Sequence, residues 1–157
     1  MTGVLQQEHI GVGRSEILNA RVLIVDDQES NILLLERLLR GDGYESIQST
    51  MNPREVTALH RKNSYALILL DLKMPGMDGF QVMEGLRALE PDGDLPVLVV
   101  TTEPGHKLRA LRAGARDFVS KPLDLPDVLI RVHNMIELRL LHLETKRLYD
   151  ELEKARA

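Results

Sequence analysis

The chain has 157 residues, 43% of them hydrophobic and 28% charged, enough for one soluble globular domain with modest extensions. Its net charge of −4 argues against a nucleic-acid surface, which carries a clustered basic excess, and the lack of cysteine excludes disulfides and thiolate metal sites. The longest apolar stretches are strand-length and the N-terminus lacks a positive-then-apolar pattern. Neither a membrane span nor a secretory signal is therefore expected, and a cytoplasmic location is.

Residues 1–20 hold three glycines and no clear apolar period, and read as a flexible lead-in. A strand at 21–25 follows, then a helix near 29–40 with Ile32, Leu35, Leu38 and Leu39 inward and Gly41 past its end. A weaker strand spans 46–50. Asn52-Pro53-Arg54-Glu55 supplies a cap, a proline at the first helical position and an acid at the third, for a helix ending near Asn63. The third strand, 66–70, enters a turn-rich loop from Asp71 to Gly79. A helix over 79–89 stops before Pro91, and 91–96 reads as a loop. After a fourth strand at 97–100 come a short helix over 104–113, closed by Gly114, and a fifth strand at 117–120. From Pro126 to the end the chain is helix-compatible.

Continuous apolar strands alternating with helices predict an α/β fold, a doubly wound five-stranded parallel sheet with right-handed crossovers. Ligands of such sheets bind at the carboxyl ends of the strands. There stand Asp26 and Asp27, Asp71, Thr101 and Lys121. Any one aspartate is explained as a turn former or helix cap; the set at four separate strand ends is not. Three carboxylates make a hard-oxygen site suited to Mg2+, and in its absence their repulsion predicts a raised pKa for at least one. Lys121 is a credible phosphate contact.

Four segments resemble the receiver domain of bacterial two-component response regulators: Val25-Asp26-Asp27, the run from Asp71 to Gly79, Val100-Thr101, and the run from Gly114 to Pro122. The likeness covers about residues 20–140 and implies the flavodoxin-like receiver fold. It implies that Asp71 accepts a phosphoryl group from a histidine kinase or phosphotransfer protein. Asp27 would bind Mg2+ directly, Asp26 through water, Asp71 as nucleophile and ligand, and Lys73 through its backbone carbonyl. Thr101 and Lys121 would contact phosphoryl oxygens, and Lys121-Pro122 would be a cis peptide. Thr101 and Phe118 would form a switch, read out on the face of the 104–113 helix, the fifth strand and the last helix. Such a module phosphorylates itself and slowly hydrolyses its own adduct, without being a turnover enzyme.

The likeness is not perfect. The stretch from Thr101 to Gly114 is about two residues shorter than usual in the family, and Thr102 replaces a common alanine. With Lys73, Thr102 is placed to narrow access to Asp71. An Mg2+-dependent phosphohydrolase is the alternative, although Lys73 stands where such enzymes keep a second acid. A flavin carrier fits poorly, because the first loop carries Asp26, Asp27 and Glu29 rather than phosphate-friendly residues, and no phosphate-binding glycine loop for nucleotides exists.

The domains expected are a lead-in at 1–20, a receiver at 21–137 and a helical extension at 138–157. In the extension Leu138, Leu141, Thr145, Leu148, Leu152 and Ala155 step by three and four, a seam of about two and a half heptads. Glu137, Arg139, Glu144, Lys146, Arg147 and Glu151 flank it. A parallel two-stranded coil joining two receivers is expected over a solvated tail, since isolated helices of this length are marginal. An output domain, fused or separate, is expected to receive the signal. His60, His106, His133 and His142 lack metal-ligand spacing and read as surface residues.

Overall fold

The computed structural model describes residues 12–156. The elements run α1 (Arg14–Leu18), β1 (Val22–Val25), α2 (Glu29–Gly41), β2 (Ile47–Thr50), a 3-10 turn (Pro53–Glu55) leading into α3 (Val56–Asn63), and β3 (Leu67–Leu70). Then come α4 (Gly79–Arg87), β4 (Leu95–Thr101), a second 3-10 turn (Pro104–His106) before α5 (Lys107–Arg112), β5 (Ala115–Ser120) and α6 (Leu125–Arg156). The five strands form one parallel sheet in the order β2-β1-β3-β4-β5, the doubly wound architecture expected from the sequence.

Every residue of β1 and β3 is buried, which is why both read as unbroken apolar runs. Alternate side chains feed two cores. Val22, Ile24, Leu67, Leu69, Leu98 and Val100 pack under α1, α2 and α6. Leu23, Val25, Ile68, Leu70, Val97, Val99 and Phe118 pack under α3, α4 and α5. Each such side chain, fully buried, contributes about 1.5–3 kcal/mol, so the sheet's register is strongly fixed.

The local signals are honoured where side chains cap backbone. Asn52 Oδ1 accepts from Arg54 N at 3.1 Å, and Asp78 and Gln81 cap α4 reciprocally at 2.9 Å. Gly79 has a different reason: a Cβ there would lie 2.7 Å from Asp71 O and 2.8 Å from Leu72 Cα. Only glycine lets α4 start against the end of β3.

Three expectations are corrected. Of the lead-in expected over 1–20, residues 1–11 lie outside the described residues, and residues 14–18 form α1 rather than a flexible segment. Ile17 supplies the reason, being buried in the core between α2 and α6, a single apolar anchor too sparse to show as a period. The expected loop over 91–96 ends early, because Leu95 and Pro96 already belong to β4. Proline is tolerated there because the β4–β5 register is irregular between Leu95 and Leu98 and the β3 pairing starts only at Val97. His60 is buried rather than on the surface. Its Nδ1 accepts from Tyr65 N at 3.1 Å and its Nε2 lies 3.3 Å from Glu90 Oε1.

Candidate functional site

Strand register builds the site. Val25 pairs with Leu70, so the next residues, Asp26 and Asp71, leave adjacent strands side by side, with Asp71 N donating to Val25 O at 3.0 Å. Asp26 is 2% exposed and Asp71 7%, while Asp27, one residue on, is half-buried. One carboxylate oxygen from each of the three lies within 4.8 Å of the others. Thr101 ends β4 wholly buried, and Lys121 N donates to Thr101 O at 2.8 Å, which brings the lysine to the same edge. The Lys121-Pro122 peptide is cis. Lys121 Nζ reaches Asp26 Oδ2 at 3.1 Å and Asp71 Oδ2 at 3.8 Å.

Burial pushes the Asp71 carboxyl above its ordinary range. Lys121 and the Lys73 backbone N–H, 3.4 Å from Oδ1, pull it down, while Asp26 and Asp27 push it further up. The raised pKa expected from crowded carboxylates thus falls on Asp71. Three hard oxygen donors that destabilise one another when unpaired fit a small divalent cation, which takes one or two carboxylates and keeps several waters.

The remaining expected residues are placed as follows. Lys73 extends outward, 75% exposed, and pairs with Glu103 Oε1 at 3.4 Å across the rim of the cleft. The Thr101 hydroxyl accepts from Glu103 N at 3.4 Å. Phe118 is buried on the sheet face shared by Val99, its register partner, and hence by Thr101 two residues beyond. Leu138, Leu148 and Leu152 of the expected seam are exposed and Leu141 is half-buried. Sequence reasoning missed Gln28, Asn31 and Met74, which line the cleft. Gln28 also donates its backbone N–H to Asp26 Oδ1 at 3.0 Å. Their signal was position alone: each lies within five residues of a named aspartate. Among the described residues no helix is long and apolar enough to cross a membrane.

Residues 22–133 match the model of the response regulator receiver domain. The response regulator PleD of Caulobacter vibrioides is 35% identical over 126 residues, which are 79% of this chain and 28% of that protein. The chain therefore spans little more than a quarter of that relative. Protein PilH of Pseudomonas aeruginosa is 33% identical over 119 residues, 74% of this chain and 97% of that one. In fold, the receiver domain of a Pseudomonas aeruginosa sensor histidine kinase, described with a magnesium ion in its active site cleft, is similar at a TM-score of 0.67 and 24% identity. That likeness covers 75% of this chain and 98% of that one.

Proposed function

The chain belongs to the response regulator receiver family, and from that premise we propose that Asp71 accepts a phosphoryl group from a histidine kinase or phosphotransfer protein, in a cytoplasmic two-component relay. The observation that carries this reading is the meeting of Asp26, Asp27 and Asp71 within 4.8 Å, with the Lys121 ammonium among them.

Phosphoryl transfer asks for in-line positioning and neutralised oxygens rather than a base. Asp71, ionised, is itself the nucleophile: its carboxylate oxygen bonds to phosphorus as the bond to the donor breaks, and the donor leaves with that electron pair. Burial removes competing water, and the Lys73 N–H at 3.4 Å from Oδ1 orients the carboxylate. Lys121 covers the incoming phosphoryl oxygens with an ammonium that needs no large movement. Mg2+, which Asp26, Asp27, Asp71 and the Lys73 carbonyl would hold, supplies charge neutralisation when bound. The cleft of the fold neighbour described with magnesium supports this choice of ion.

A phosphoaspartate adds acceptor oxygens and negative charge. Thr101, buried and accepting on its hydroxyl a long 3.4 Å contact from Glu103 N, would turn toward it. Phe118 on the same sheet face would take the vacated space, biasing the α5, β5 and α6 face toward a second state. That face would pass the signal to an output domain, and α6, over the extension at 138–157, would pair with a second copy.

Incubation with acetyl phosphate and Mg2+ followed by intact mass tests the reading. One phosphoryl adduct, absent in Asp71→Asn, is expected; steady release of many phosphates per protein would instead mark a hydrolase.

A further inference from the structure

Helix α5 is thinly anchored. Ala110 is its one buried residue, and Leu108 is 60% exposed. Arg109 turns toward α4, its guanidinium carbon 3.7 Å from the centre of the Phe80 ring. His106 meets the same ring edge-on, with centroids 5.7 Å apart. At the other end of the groove Arg87 of α4 donates from Nε to Ala113 O at 3.3 Å and from Nη2 to Arg112 O at 3.4 Å.

At the head of this groove lies a hollow of about 210 Å³. Leu72, Met74 and Phe80 give it apolar walls, and His106 and Arg109 give it polar ones. The His106 Nδ1 atom is buried without a hydrogen-bond partner among the described residues. The two acids at the hollow are engaged already, Asp78 as the cap accepting from Gln81 N and Glu103 as the partner of Lys73.

Charge decides what fits. From 104 to 116 the chain carries Lys107, Arg109, Arg112 and Arg116 and no acid, in a protein of net charge −4. Arg116 pairs with Asp94 at 3.1 Å, whereas Lys107, Arg109 and Arg112 are exposed and form no ion pair among the described residues. Glu84, one turn past Phe80 on α4, is the single carboxylate on that stripe. A guanidinium stacked on a ring keeps its N–H edge free for a carboxylate. Free cations around an aromatic and two aliphatic walls therefore suit a carboxylate-rich segment that bears one apolar side chain. A nucleic acid or an anionic membrane is also negative, but each extends far beyond a Debye length of about 10 Å at roughly 0.1 M salt. Either would meet the acidic remainder of the surface, and a short segment meets the groove alone.

We propose that the α4–α5 groove docks a short acidic segment of a partner protein, with its carboxylates on Arg109 and Arg112 and one apolar side chain in the hollow beside Phe80. The groove lies on the α4 side of α5, away from the α5, β5 and α6 face, and the inference does not depend on phosphorylation of Asp71. Lys73 and Met74 line both this hollow and the aspartate cleft, so the two sites share a wall.

The test uses the isotope-labelled full-length protein without a phosphodonor, titrated with a peptide of one phenylalanine flanked by glutamates. Amide shifts at Leu72, Phe80 and Arg109 are expected in NMR spectra. Arg109→Glu and Arg112→Glu should each weaken binding by about tenfold. Lys154→Glu, the same charge change at an exposed position near the end of α6, should weaken it by less than about twofold. The peptide with lysine in place of glutamate should not bind. No shift up to millimolar peptide, or an equal loss in Lys154→Glu, overturns the groove. Tighter binding of single-stranded DNA or phosphatidylglycerol vesicles than of the peptide, through the same two arginines, overturns the choice of partner.

Discussion

Lys121 Nζ lies 3.1 Å from Asp26 Oδ2, closer than to Asp71, from which it is 3.8 Å away. The ammonium therefore neutralises the carboxylate that is not the nucleophile and leaves an Asp71 oxygen accessible. Substituting Lys121→Met removes that cation and the phosphoryl contact together. Phosphorylation by acetyl phosphate should slow by about tenfold or more, the loss of one charge-assisted contact to the transferring group. Mg2+ affinity, read by titration calorimetry, should not fall, because the lysine competes with the ion for Asp26.

Asp71 is held above the ordinary carboxylate range, first by burial, with Lys121 opposing. A raised folded-state value means that ionised Asp71 destabilises the metal-free fold at neutral pH. Asp71→Asn in a chelator should therefore raise Tm by about 2–4 °C, what roughly 1 kcal/mol yields in a domain of this size. Added Mg2+ should raise the Tm of the parent protein and have little effect on the variant. Differential scanning calorimetry reads both.

Glu90 shows the opposite sign. Burial would push it up, but hydrogen bonds from His60 and Arg139 outweigh burial and hold it below 4.5. Its contribution is complete above the unfolded value and is lost as pH falls through the lower folded value. Glu90→Gln should lower stability by about 1–3 kcal/mol at neutral pH, the cost of leaving a buried partner unsatisfied. The gap between variant and parent in urea midpoint should close only below about pH 4.5.

The Lys73–Glu103 pair spans the rim of the cleft and is exposed. Its removal by Glu103→Ala should change stability by less than about 0.5 kcal/mol. It should shorten the lifetime of phospho-Asp71 severalfold by opening a path for water, measured by loss of the adduct after donor removal.

The site was legible because parallel strands deliver their carboxyl ends to one edge: Asp26, Asp71, Thr101 and Lys121 are each the residue at or just past a buried run. What escaped depends on contacts distant in sequence. Glu90 reads as a loop residue before Pro91, and only the fold brings His60, 30 residues earlier, and Arg139, 49 later, to its carboxylate. Arg139 and Lys146 likewise read as flanks of a coil, whereas the domain claims both. Helix α1 was illegible because one residue, Ile17, does its anchoring.

The central claim is that Asp26 and Asp27 from one loop, Asp71 from another and Lys121 from a third meet so that Asp71 can be phosphorylated beside a divalent ion. A crystal structure with Mg2+ and beryllofluoride tests it most directly. Beryllofluoride bonded to an Asp71 oxygen, with Lys121 and Thr101 on its fluorides and the ion on Asp26, Asp27 and Asp71, is the expected result. Beryllofluoride on another residue, or a bound ion that leaves Asp71 uncoordinated, would contradict it.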